Sequence, residues 1–161
     1  MIINVETYLR SNYEMVTKYV KLSKTLDYIS KPLVVFEPVD KKKFPEIWEN
    51  GEYLTKMNLF GIIPLGNQSV VIEKLKETNQ NEFILRDNGY SSLINTWDHW
   101  ILIRKTKNEN IVKYIDRIEI KAGLLTIFIV IFASVFFRWR QFRWKMLIRS
   151  NYKAMYRVFE R

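Results

Sequence analysis

Sixteen consecutive uncharged residues, Ala122 to Phe137 (AGLLTIFIVIFASVFF), constrain this chain more than any other feature. As a helix they would span about 24 Å, short of the roughly 30 Å hydrocarbon thickness of a bilayer. Extending the run backwards meets Lys121, Glu119 and Arg117; extending it forwards meets Arg138. An apolar run of this length is more often a buried core helix than a membrane span. A tethered protein, with residues 122–137 as a transmembrane span and the basic residues beyond it inside, is the alternative.

The rest of the chain bears on that choice. Its 161 residues are enough for one ordinary domain with a real core. With no cysteine there can be no disulfide framework and no thiol nucleophile, and the single histidine, His99, excludes a multi-histidine metal site. Neither a Gly-rich phosphate loop nor a cluster of metal ligands is present, so no cofactor or metal is expected. The start MIINVETYLR lacks the basic-then-apolar build of a secretion signal, which predicts a cytoplasmic location.

Net charge is +9, and residues 138–161 alone carry +7 of it. Arg138, Arg140, Arg143 and Lys145 are therefore candidates for a basic surface that meets anionic lipid, or a solvated helix face. Trp139, Phe142 and Trp144 lie among them, with helical spacing placing Trp139 and Phe142 inward and Trp144 outward. No nucleic-acid motif accompanies them, and nucleic acid is not an expected partner.

Alternation over residues 2–9 predicts a strand, and Ser11-Asn12 offers capping for a helix from Tyr13. A second short helix over 22–29 ends at Pro32. Short strands follow at 33–36, 52–60, 68–75, 82–86, 97–105 and 111–121. The connections between them include turns at Gly61–Gly66, Thr78–Asn81 and Asp87-Asn88-Gly89. Strands joined by such short links form an antiparallel meander, whose apolar face needs a covering layer. The only element long enough to cover it is a C-terminal helix over about 122–158. The stripe Leu124, Phe128, Ile131, Val135, Trp139, Phe142 and Met146 is its predicted sheet-facing side.

The segments ISKPLVVFEP (29–38), FPEIWENGEY (44–53), LFGIIPLGNQ (59–68), LRDNGYSSLINTWDHWI (85–101), YIDRIEIKAGLLT (114–126) and RWRQFRWKMLI (138–148) add a resemblance. Over roughly residues 29–149 the chain resembles the START/Bet v 1-like superfamily, also called SRPBCC and including polyketide cyclase-like proteins. It looks most like small bacterial members of unassigned function. The resemblance implies an α+β helix-grip fold over 1–161, ordered β-α-α-β6-α. In it a curved antiparallel sheet of about seven strands grips the C-terminal helix around a cavity. It also implies that the partner is a hydrophobic small molecule such as a lipid or polyketide-like compound, with a cyclase- or dehydratase-type enzyme as the alternative.

Within that frame, His99 and Asp116 fall on inward faces of adjacent predicted strands. A buried carboxylate needs a partner, and an Asp–His pair in an apolar cavity suits ligand orientation or proton transfer, or a structural hydrogen bond. Tyr53, Met57, Tyr114, Phe128 and Phe132 are candidates for cavity wall or core. Arg86 and Asp87 are expected at a hairpin end, Asp87 as a turn residue. The C-terminal helix is apolar all round for four turns, which leaves a second face for the short helices, a homodimer or a membrane surface.

Overall fold

The structure, a computed structural model, describes residues 1–40, 43–74 and 80–157. Strand β1 (Ile2–Leu9) alternates as its sequence predicts, with Val5 and Leu9 buried. Asn12 then caps helix α1 (Tyr13–Val20), its Oδ1 accepting from the Met15 amide at 2.8 Å. This satisfies a donor that the first helical turn leaves open. Helix α2 (Ser23–Ser30) follows and stops before Pro32, whose ring cannot continue it.

Six strands come next: β2 (Val34–Pro38), β3 (Gly51–Leu59), β4 (Ile63–Lys74), β5 (Glu82–Ser91), β6 (Thr96–Lys105) and β7 (Val112–Lys121). Every pairing is antiparallel, and the seven strands lie in the order β1-β7-β6-β5-β4-β3-β2. The chain's first and last strands therefore pair in register, Val5 opposite Asp116. A 3-10 turn (Gly123–Leu125) leads into helix α3 (Thr126–Arg149), which packs against α2, β1 and β7. This is the α+β helix-grip architecture in the expected order.

Several local expectations are corrected. The turn expected over Gly61–Gly66 is confined to Phe60–Ile62, where Phe60 (φ 53°) and Gly61 (φ 76°) take left-handed conformations. Strand β4 has already begun at Ile63, and a register shift opposite Met57/Asn58 absorbs the irregularity. Asp87-Asn88-Gly89 is not a turn. Strand β5 runs through it to Ser91, because Gly89 lies so close to β4 that a Cβ would meet Ser69 O at 2.5 Å. The chain reverses after Ser91 instead, whose amide donates to Ile94 O at 2.9 Å. The helix expected over 122–158 ends at Arg149. Asn151 and Tyr152 adopt positive φ, the Tyr152 amide returns to Leu147 O, and a short helix α4 (Ala154–Arg157) follows. Residues 41, 42, 75–79 and 158, touched by other expected loop, turn and helix ends, lie outside the described residues.

The largest correction concerns which side of α3 faces inward. Its buried residues are Ala133, Phe136, Phe137, Arg140, Gln141, Trp144 and Leu147. The predicted inward stripe points out: Leu124 is 98% exposed, Phe128 71%, Ile131 60% and Val135 57%. Trp144 is fully buried and Phe142 is exposed, the reverse of the expectation. Both faces of this helix are apolar, so periodicity has no polar side by which to orient it. By length and composition Gly123–Arg149 is able to cross a membrane. In the fold its inner face instead completes both parts of the core, Phe137 among Val5, Trp97 and Ile118, and Trp144 against Tyr114.

Candidate functional site

The sheet and the inner face of α3 do not close on one another completely. Between them and α2 lies a cavity of about 360 Å³, within the range of small-molecule pockets. Its wall is largely aliphatic and aromatic: Leu26 and Ile29 from α2, Phe36 from β2, Val70 from β4, Leu85 from β5, and Phe132 and Phe136 from α3. Leu125 and Phe128 line it while remaining exposed, which puts the mouth at the start of α3.

Six polar side chains interrupt this wall: Thr25, Gln68, Asp87, Ser91, His99 and Arg140. His99 belongs to the alternating set Trp97, His99, Ile101 and Ile103 that β6 turns inward. Its Nε2 lies 2.9 Å from Asp116 Oδ1. Gln141 Nε2 donates to Asp116 Oδ2 at 2.9 Å and to Val5 O at 2.7 Å. Both oxygens of the carboxyl thus have a partner, the arrangement in which His99 acts as the donor. Burial holds the His99 pKa below its usual value, with Asp116 working against that shift. The ring is therefore neutral at pH 7, with its proton committed to Asp116.

Asp87 is the polar residue that the turn reading misplaced. It stands on the inward face of β5 after Phe83 and Leu85, and its Oδ1 accepts from the Val71 amide at 2.9 Å. It is half-buried and lines the cavity. Removal from bulk water pushes its carboxyl up to about 7, against the Val71 hydrogen bond and the Arg140 charge, which both lower it. Arg86, its neighbour in sequence, points to the other side of the sheet. There it forms a two-pronged pair with Asp98 (2.8 and 3.0 Å) and a bond to Glu73 (2.7 Å).

Arg140, expected on a basic surface, is buried at 6% exposure because it follows Phe136 and Phe137 by one helical turn and shares their face. Its guanidinium carbon lies 5.0 Å from the Phe137 ring centre and 5.7 Å from that of Phe136. Arg143 is half-buried and spent on the α2 helix end, donating to Tyr28 O at 3.1 Å (Nη2). Arg138 and Lys145 are exposed as expected.

Of the other expected wall residues, Met57, Phe128 and Phe132 line the cavity. Tyr114 and Asp116 lie in the core behind it, Tyr114 packed on Trp144. Tyr53 stands edge-on to Trp48 at 5.1 Å, and it is Trp48 that reaches the cavity. Sequence reasoning missed Asp87 and Arg140 as cavity residues. Continuing the alternation of β5 past Arg86 would have found the first; a stripe drawn through Phe137 and Trp144 would have found the second.

No known family's sequence profile and no curated protein sequence matches this chain. Solved structures do match its fold. A START superfamily protein from Mycobacterium smegmatis aligns with TM-score 0.60 and 7% identity over 92% of this chain and 97% of its own. A hypothetical protein from Helicobacter pylori gives TM-score 0.63 and 10% identity over 91% and 86%. A truncated norcoclaurine synthase from Thalictrum flavum gives 0.55 and 11% over 92% of both chains. At such identities the likeness speaks for architecture alone, and together with the strand order it establishes that this chain has the START/Bet v 1-like helix-grip fold.

Proposed function

We propose that this protein binds a hydrophobic small molecule, such as a lipid or polyketide-like compound, for transport, sequestration or sensing in the cytoplasm. The observation that carries the reading is the cavity of about 360 Å³ between sheet and α3, walled mainly by apolar side chains. Left unfilled, an apolar cavity of that size would forfeit packing, which favours an occupant. Mass spectrometry of protein purified without detergent, native and then denatured, tests this. A stoichiometric apolar mass released on denaturation supports it. An empty protein that also fails to take up any single-chain lipid contradicts it.

A second reading is favoured by the exposed apolar residues Leu124, Leu125, Ile127, Phe128 and Ile131 around the mouth. Exposed Arg138, Lys145 and Arg149 on the same helix supply the charge that anionic headgroups attract. In this reading the mouth docks on an anionic membrane surface and exchanges its ligand there. Cosedimentation with phosphatidylglycerol vesicles, and not with phosphatidylcholine vesicles, is the expected result. A stable dimer that binds neither vesicle would assign the same face to a second copy of the chain.

The cyclase- or dehydratase-type alternative has less support. His99 lines the cavity, but its partner Asp116 is behind the wall and engaged by Gln141. That arrangement suits a fixed polar contact for a ligand better than a proton relay.

A further inference from the structure

Arg140 is the anomaly of this cavity. An arginine keeps its charge at any physiological pH, and a buried charge is costly unless it is paired and hydrogen-bonded. Yet its Nε is buried without a hydrogen-bond partner, and none of the described residues accepts a hydrogen bond from its guanidinium. The nearby aromatic rings of Phe136 and Phe137 offer their faces, a cation–π contact that leaves the N–H edge unsatisfied. Side chains of its own helix are no help. Gln141 is turned to Val5 and Asp116, and Arg143 to Tyr28.

From the sheet side, Asp87 faces the same cavity without an ion pair to Arg140, its Oδ1 already engaged by the Val71 amide. His99 has its Nε2 on Asp116. The guanidinium fork thus borders a largely apolar chamber with no carboxylate at ion-pair distance among the described residues, although the Asp87 carboxyl is near enough to feel its charge. Forks of this kind bind carboxylate or phosphate oxygens in pairs, and bind them strongly where water is excluded.

We infer that Arg140 is the headgroup site of the cavity, and that the ligand is a single-chain amphipathic anion whose carboxylate or phosphate sits on this guanidinium while its apolar chain fills the space towards Phe128 and Leu125. Gln68 lies on the wall with it and supplies a further polar contact to the headgroup, as does Asp87 when its carboxyl is protonated and can donate. The inference rests on the cavity being a ligand site, and adds the charge of the ligand and the residue that selects it.

The test compares probes of equal chain length and different heads. Dodecanoic acid, dodecyl phosphate and 1-dodecanol, each below its aggregation limit, are titrated calorimetrically into delipidated protein, as wild type and as Arg140→Met. In the wild type at least one of the two anions is expected to bind ten-fold or more tighter than the alcohol. Which anion wins separates a carboxylate from a phosphate head. Arg140→Met is expected to abolish that preference, and Arg140→Lys to restore part of it.

Equal affinity of the wild type for alcohol and anions would overturn the headgroup assignment and leave the cavity reading intact. So would a preference that survives in Arg140→Met. Binding of none of the three would overturn the cavity reading as well. Should Arg140→Met fail to fold, the wild-type comparison and Arg140→Lys decide.

Discussion

Gln141 Nε2 donates to Asp116 Oδ2 across 2.9 Å, in a region that neither side chain leaves for solvent. The same nitrogen donates to Val5 O at 2.7 Å, so one amide ties α3 to both β1 and β7. Replacing it by leucine keeps the volume and removes the donors, leaving two buried acceptors short of a partner. An unsatisfied buried acceptor costs about 1–3 kcal/mol. Gln141→Leu is expected to lose roughly 2–4 kcal/mol on that basis in urea denaturation. A loss below 0.5 kcal/mol, the range of surface changes, would mean the link is incidental.

His99 makes stability fall on acidification. Its pKa is lowered in the folded protein, chiefly by burial. As pH drops below the ordinary histidine value, the unfolded chain takes up a proton that the folded chain refuses, so the slope of stability with pH is positive there. His99→Gln, which retains a donor for Asp116, is expected to reduce the loss of stability between pH 7 and pH 5.5. An unchanged loss would contradict the buried, neutral ring.

Asp87 acts with the opposite sign. Its folded pKa of about 7 lies above its ordinary value of 3.8, so between those values the folded protein binds a proton that the unfolded chain has released. Stability from this group is complete below the lower value and is lost as pH rises through the upper one. Asp87→Asn is expected to gain roughly 1–3 kcal/mol of stability relative to wild type between pH 4.5 and pH 8, allowing for partial hydration of the cavity. A variant no more stable at pH 8 than at pH 4.5, relative to wild type, would sink this assignment.

Val70 is buried on the cavity wall with open space in front of it. Enlarging a residue beside a void relieves missing contacts instead of overpacking. Val70→Phe is expected to leave the melting temperature within a few degrees of wild type while weakening dodecanoic acid binding ten-fold or more. A marked drop in melting temperature would indicate that the cavity is tighter than its volume implies.

The sequence was informative wherever one face of an element was apolar and the other charged. β7 is the clearest case: Val112, Tyr114, Asp116, Ile118 and Ile120 are all buried as the alternation requires. The same logic put His99 and Asp116 together, since a strand's period of two fixes the face and the short link fixes the neighbour. It failed where that contrast was missing. The first half of α3 is apolar on every side, and the correct face is marked only by Arg140 and Gln141, polar residues that hydropathy assigns to solvent. Asp87-Asn88-Gly89 has the composition of a tight turn, yet Gly89 is there for close approach to β4. Both errors hid the polar end of the cavity, because a charged residue in an apolar chamber runs against the pattern used to find the chamber.

The most direct test uses the protein's own tryptophans. Trp48, Trp97 and Trp144 line the cavity, while Trp100 and Trp139 do not. Heavy-atom quenching needs near contact, so 12-bromododecanoic acid in the cavity would reach the first set. The account predicts saturable quenching at one equivalent of probe, reversed by an excess of unbrominated dodecanoic acid. Weak quenching that rises linearly with probe and resists competition would mean that only surface tryptophans are touched, and that the cavity is not a ligand site.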